Sequence, residues 1–242
     1  MGKLFRTDGV RGLANRFLTA PLALRLGAAY GRLLTAEAGG RARIVLGRDS
    51  RVSGDMLEAA FLAGACSAGV DVHCLGVIPT PAVAHQARTG DFQGGVMISA
   101  SHNPIADNGI KIFSAQGFKI ADDVEARIEA IVLSDDPLEG PIGLDVGRAH
   151  TVPDASTRYV EHVVSQTSHR LDGLRVVLDC AFGSAWSVAE QTFRALGATV
   201  VAMNNEADGA RINVACGSTD LSALRVAVRR EKADLGLAFD GD

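Results

Sequence analysis

The sequence predicts an α/β protein of two consecutive α/β domains, residues 1–150 and 151–242, each a sheet flanked by helices. Three observations carry this expectation. Short Val-, Ile- and Leu-rich segments alternate with helical ones along the chain, the pattern that builds βαβ units. One of them, Gly95 to Ser99, is apolar at successive positions, as a strand covered on both faces requires. Between the two series, residues 134–153 carry Asp135-Asp136-Pro137, Gly140-Pro141 and Pro153, the punctuation of a linker.

The elements follow in order. At Thr19 a hydroxyl cap precedes Pro21 in a first helical turn, and Leu22, Leu26, Ala29 and Leu33 recur at helical spacing until Gly39-Gly40. A strand is expected from Arg43 to Gly47, a helix from Asp55 to Ala68 closed by Gly69, and a strand from Val70 to Leu75. A loop with Pro79 and Pro81 leads into a short helix, then to the strand Gly95 to Ser99 and a polar loop over 100–109. Ile110 to Phe113 and Phe118 to Ile120 flank Ala115-Gln116-Gly117 as a hairpin, and Asp122 to Leu133 is helical. After the linker come a helix from Asp154 to about Ser165 and strands Leu174 to Cys180, Thr199 to Met203 and Leu235 to Phe239. Helices Ser184 to Leu196 and Asp220 to Lys232 alternate with these strands.

Composition narrows the function classes. Of the 242 residues 47% are hydrophobic and 21% charged, as in a globular chain with a real core, and the 5% of aromatics make that core aliphatic. Lys and Arg number 24 against 28 Asp and Glu, with no long run of one sign, which excludes a basic nucleic-acid stripe. Cys66, Cys74, Cys180 and Cys216 are scattered without a Cys-x-x-Cys pair, so reduced thiols are expected, with no disulfide framework or zinc site. His73, His85, His150, His162 and His169 show no ligand spacing. The N-terminus has no signal-peptide stretch, and no apolar run approaches the ~20 residues of a membrane span. A cytoplasmic location is expected, without nucleic-acid or membrane partners, and a homodimer is compatible with the sequence.

Chemistry concentrates in Ser99-Ala100-Ser101-His102-Asn103-Pro104, directly after the buried strand and ahead of Asp107-Asn108-Gly109-Ile110-Lys111. The loop places a hydroxyl nucleophile beside an imidazole, with a Lys a few residues on. Ser, Asn, Asp and Pro are also ordinary turn formers. At the other end, Asp240-Gly241-Asp242 follows an apolar strand, and ligands bind at the carboxyl ends of strands in open α/β sheets. The chain stops where chemistry is expected, so the natural polypeptide is expected to run past Asp242.

The string SASHNP followed by DNGIK resembles the active-site loop of the phosphohexose mutases, the α-D-phosphohexomutase superfamily. Asp240-Gly241-Asp242 resembles the start of that family's DGDxDR metal loop, Thr7-Asp8-Gly9-Val10-Arg11-Gly12 its TDGIRG loop, and Gly47-Arg48-Asp49-Ser50-Arg51-Val52-Ser53-Gly54 its GRDTRxSG segment. The resemblance covers Lys3 to Asp242 and implies two α/β domains with mixed sheets, the first half of a four-domain enzyme. It implies that Ser101 is stored as a phosphoserine, whose charge of roughly −1.5 to −2 suits it as a phosphoryl reservoir beside a cation. It further implies Mg²⁺ held by Ser101, Asp240 and Asp242, phosphate or substrate contacts from Arg11, Arg48, Ser99 and Asn103, and His102 or Lys111 as acid or base, the choice between them open. Arg51 is read at even odds as a phosphate ligand or a salt-bridged side chain.

Ser99 and the string Cys216-Gly217-Ser218-Thr219-Asp220 look like the glucosamine branch of the family. That branch implies interconversion of glucosamine 6-phosphate and glucosamine 1-phosphate through a 1,6-bisphosphate, feeding UDP-N-acetylglucosamine and cell-wall synthesis. Arg6, where Gly is usual, and Phe182, where Asn is common, depart from the pattern. The rivals are a phosphoglucomutase or phosphomannomutase and a non-catalytic phosphosugar-binding fragment. The 242 residues by themselves are expected to fold without catalysing the reaction.

Overall fold

The computed structural model describes residues 4–7 and 9–242; Met1, Gly2, Lys3 and the Asp8 of the Thr7–Gly12 motif lie outside the described residues. The first unit is built from β1 (Val10–Leu13), α1 (Ala20–Ala38), β2 (Arg43–Arg48), α2 (Ser53–Ser67), β3 (Asp71–Val77), α3 (Thr80–Thr89), β4 (Gly94–Ile98), β5 (Asp107–Ser114), α4 (Asp122–Leu133) and β6 (Ala149–Thr151). Its sheet has the order β1-β5-β4-β2-β3-β6 and is mixed: β1, β5 and β4 pair antiparallel, while β4, β2, β3 and β6 run parallel.

The second unit comprises α5 (Ala155–Ser165), β7 (Arg175–Asp179), α6 (Ala189–Ala195), β8 (Thr199–Met203), α7 (Ser222–Arg230) and β9 (Leu235–Ala238). Its sheet, in the order β8-β7-β9, is parallel throughout.

Strand periodicity decides where the cores lie, because successive side chains leave a strand on opposite faces. On β2, Ile44 and Leu46 enter the core under α1, α2 and α4 with Leu26, Tyr30, Phe61 and Ile128, while Val45 points to the core under α3 with Val83, Ala87 and Met97. On β7, Val176 and Leu178 pack toward α6, and Val177 toward Leu224 and Ala227 of α7. Each sheet is therefore covered on both sides.

Helix α1 begins where expected: the Thr19 hydroxyl accepts from the Leu22 amide at 3.3 Å, and Gly39 closes the helix at φ 62°. Helices α1 and α2 touch through glycines. A Cβ on Gly27 would lie 2.1 Å from the Phe61 carbonyl oxygen, and one on Gly64 would lie 2.0 Å from that of Leu24. Gly64→Ala is expected to destabilise the chain by about 1–3 kcal/mol despite alanine's better helix propensity, because the helices must part. A urea titration showing no loss would mean that this crossing is slack.

Two strands escape the sequence reading. β1 overlaps the Thr7–Gly12 loop motif and pairs with β5. β6 lies within the expected linker and joins the edge of the sheet through β3, with Val72 donating to the Arg148 carbonyl at 2.8 Å and Val152 to that of Cys74 at 2.9 Å. Its three residues, Ala149, His150 and Thr151, are all exposed, so no apolar period marks it. The expected hairpin over 110–120 forms with β5 as its first arm; a bridge from Phe113 to Lys119 holds the return, with Ser114 donating to the Phe118 carbonyl at 2.8 Å and Ile120 to that of Ile112 at 3.2 Å. The start of α5 belongs to both units: Ala155 is buried in the α3-side core, and the helix also touches α6.

Candidate active site

The loop after β4 is held from below by a buried ion pair. Asp49 and Arg51, both with no exposure, follow β2 and pair at 2.9 Å. The Arg51 guanidinium then donates to the carbonyls of Ser101 (2.7 Å), Asn103 (2.8 Å), Pro104 (2.5 Å) and Asp107 (3.0 Å). Asp49 accepts from the Ser99 hydroxyl at 2.7 Å, and that hydroxyl accepts from the Ser101 amide at 2.9 Å. Burial pushes the Asp49 carboxyl above its usual range, and Arg51 and Ser99 pull it partly back. Ser99 and Arg51 are thus braces of the loop.

So braced, Ser101 adopts φ 57°, a left-handed conformation that a non-glycine residue takes at a cost. Its hydroxyl donates to the Asp240 carboxylate, which arrives from the end of β9 in the second unit. The Asp240 carboxylate also accepts from the Gly241 amide at 2.7 Å.

Beside it, Lys111 on β5 forms an ion pair with Asp242, whose carboxylate also accepts from the Thr80 hydroxyl at 2.8 Å. Burial pushes the Asp242 carboxyl up, but Lys111 and its hydrogen bonds outweigh that and hold it below the usual range. His102 is largely exposed, with Nδ1 4.0 Å from Asp240.

Gly241 is needed for proximity. Its φ lies outside the left-handed region, whereas a Cβ there would sit 2.8 Å from the Ser101 carbonyl oxygen and 2.8 Å from the Asn213 amide. Gly183 permits a similar approach beneath it, where a Cβ would come within 2.4 Å of the Gly241 carbonyl oxygen.

The structure therefore brings together Ser101, His102, Lys111, Asp240 and Asp242, with Ser99 beneath them. Asn103 faces Arg11 at 3.5 Å and donates to Asp107 at 2.8 Å, and Arg11 and Asn103 line a cleft of about 310 Å³ with Arg6, Thr7, Gly9 and Asp107. Arg48 does not join this group. Its guanidinium is taken by Glu58 at 2.7 Å and Asp55 at 2.5 Å, both on α2, and these carboxylates hold it over the start of that helix. Sequence reasoning missed Asn213, which donates to the Ser101 carbonyl at 2.9 Å from a loop of the second unit, and Thr80. No signal in the sequence marks Asn213.

Among the described residues, the Ser101 hydroxyl faces the opposing carboxylate, whereas the buried thiols of the second unit do not. Burial first, with nearby acidic groups, pushes the Cys180 thiol up to about 12 and that of Cys216 up to about 11, far from thiolate chemistry. The oxygen donors Ser101, Asp240 and Asp242 fit a hard divalent cation in kind. Asp242 is also engaged by Lys111 and Thr80, so a cation there would compete with that pair for its carboxylate.

Known proteins match both units. Residues 2–139 match the family model "Phosphoglucomutase/phosphomannomutase, alpha/beta/alpha domain I" and residues 157–242 match domain II of the same family. The chain is 57% identical over 243 residues to a phosphoglucosamine mutase of Rhodococcus opacus, covering 100% of this chain and 55% of that protein. It is 54% identical to the phosphoglucosamine mutase of Moorella thermoacetica, again over 100% of this chain and 54% of the relative. A phosphoglucomutase/phosphomannomutase family protein from Burkholderia thailandensis superposes with a TM-score of 0.86 at 27% identity, over 99% of this chain and 52% of the other. The chain thus spans about half the length of the curated relatives it matches.

Proposed function

Because the chain belongs to the phosphoglucomutase/phosphomannomutase family, we propose that it forms the serine-bearing half of a phosphoglucosamine mutase interconverting glucosamine 6-phosphate and glucosamine 1-phosphate. The observation that carries this reading is the Ser101 hydroxyl facing Asp240 across the two units, with the Lys111–Asp242 pair alongside. The printed names of the relatives at 54–57% identity support the choice of sugar.

In this reading residues 1–150 supply the phosphoserine and residues 151–242 the carboxylate loop. A sugar hydroxyl attacks the phosphorus on Ser101; the bond to the serine oxygen breaks as the bond to the sugar oxygen forms, and the hydroxyl proton passes to a base. The resulting 1,6-bisphosphate turns over within the site and returns its other phosphoryl group to Ser101. His102 and Lys111 are the candidates for the proton. Lys111 is paired with Asp242; as a cation it can give a proton to the departing oxygen, and it can take one only after losing its own.

Charge neutralisation at that oxygen is what Mg²⁺ supplies when bound, with Ser101, Asp240 and Asp242 as the residues that would hold it. Arg11 and Asn103 line the adjoining cleft and in this reading receive substrate, while Arg48 is held by its two carboxylates. No helix among the described residues is long and apolar enough to cross a membrane, which suits action on soluble phosphosugars in the cytoplasm.

A coupled assay on the complete enzyme, comparing glucosamine 6-phosphate with glucose and mannose 6-phosphates, tests the substrate. Preference for either rival sugar would reassign it. Mass spectrometry of Ser101 tests the class: a serine that never carries phosphate would point to a binding module. His102→Gln and Lys111→Ala are each expected to lower turnover by about 10², the usual contribution of general acid-base help. Two variants near wild type would mean that the proton moves elsewhere.

A further inference from the structure

Resting on the reading of Ser101 as the phosphoryl carrier, we infer that Asn213 is a positioning residue that makes the serine's reactive geometry depend on the seating of the second unit. The Ser101 carbonyl is gripped from both units at once: Arg51 of the first donates to it at 2.7 Å and Asn213 of the second at 2.9 Å. The Asn213 amide also lies 3.5 Å from the Asn103 carbonyl. Two carbonyl oxygens face one side-chain amide, so only its NH₂ end can meet them.

Asn213 is itself well anchored. Its backbone amide donates to the Ala181 carbonyl at 3.1 Å, its φ is 60°, and the Gly241 backbone lies against both its side chain and the Ser101 carbonyl. The same small region therefore carries the Asp-Gly-Asp loop that delivers Asp240 to the Ser101 hydroxyl.

The consequence follows from the backbone of Ser101. A serine at φ 57° holds that conformation only while its surroundings over-determine it. Arg51 holds the loop whether or not the second unit is seated, whereas Asn213 reaches the carbonyl only when it is. Withdrawing the second unit removes Asp240 from the hydroxyl and one of two donors from the carbonyl together. The serine is set for transfer only in the closed pair.

Hydrogen exchange on this chain and kinetics on the complete enzyme test the inference with Asn213→Ala and Asn213→Asp. The Asn213 side chain is half-buried, so the alanine variant should fold, and the aspartate keeps the shape while facing the carbonyls with oxygen. Exchange of the amides at 101–103 should rise about tenfold with the rest unchanged, and kcat should fall about tenfold with KM within about twofold, more for Asp than Ala. Unchanged loop exchange in both variants, or a change in KM alone, would overturn the role. Loop exchange needs no substrate: loosened amides in a protein whose wild type lacks mutase turnover would sink the functional reading and leave the clamp standing. Turnover with an unmoved loop would do the reverse.

Discussion

Ser101→Ala in the complete enzyme is expected to lower mutase turnover by about 10⁴ or more while leaving the fold intact, the scale of loss seen when an essential nucleophile is removed. The hydroxyl is the only group of the loop that meets the opposing Asp240 carboxylate by a hydrogen bond, since Arg51 and Asn213 bind the Ser101 carbonyl and Ser99 binds its amide. Alanine leaves every one of those backbone contacts in place. The loss should therefore fall on kcat, with the melting temperature close to that of the parent protein. A coupled assay for glucosamine 1-phosphate on purified variant decides the matter, and more than about a hundredth of wild-type turnover would remove Ser101 from the reaction.

The largest effect on stability is expected at Arg51. Arg51→Met should cost about 3–5 kcal/mol, because it leaves the Asp49 carboxylate buried without its partner and strips a donor from four loop carbonyls. The pH dependence has a definite sign. Burial already holds the Asp49 carboxyl above its usual range, and loss of the guanidinium raises it further. A carboxyl whose folded pKa exceeds its unfolded value of about 3.9 binds its proton more tightly in the folded state, so stability falls as pH rises from there through the folded pKa. The deficit of Arg51→Met relative to wild type should accordingly be smaller near about pH 4 than near about pH 7. Urea titrations at the two pH values would expose an error if the deficit were equal, or larger in acid.

Much of this architecture was legible in the sequence because burial leaves a period. Val45 and Ile44 had to face different cores, and Thr19 with Gly39 had to bound α1. β6 was not legible: its residues are exposed, and its pairing is made by backbone groups that any residues supply. The site followed the same division. Ser101, Lys111, Asp240 and Asp242 carry chemistry in their side chains and stood out. Arg51 could be read as ligand or ion pair until its complete burial showed a brace, and Asn213 acts on backbone carbonyls 110 or more positions away, which no local pattern encodes. Arg48, close to both Asp49 and Arg51 in sequence, was drawn to α2 by Asp55 and Glu58, residues the loop motif does not contain.

The short strand at Ala149–Thr151 has a further consequence in terms of effective concentration. It fastens the chain to the edge of the first sheet, and α5 begins soon after it with Ala155 already buried against that unit. Beyond Ser165 the chain stays free only to about Arg170, because Leu171 donates to the Leu196 carbonyl at 2.8 Å and packs in the core of the second sheet. A tether that short keeps the carboxylate of Asp240 at a high local concentration around Ser101, since effective concentration rises as a flexible connection is trimmed to the span it must cross. Lengthening residues 166–169 with Gly-Ser repeats would dilute Asp240 at Ser101 without altering a single contact in the closed site.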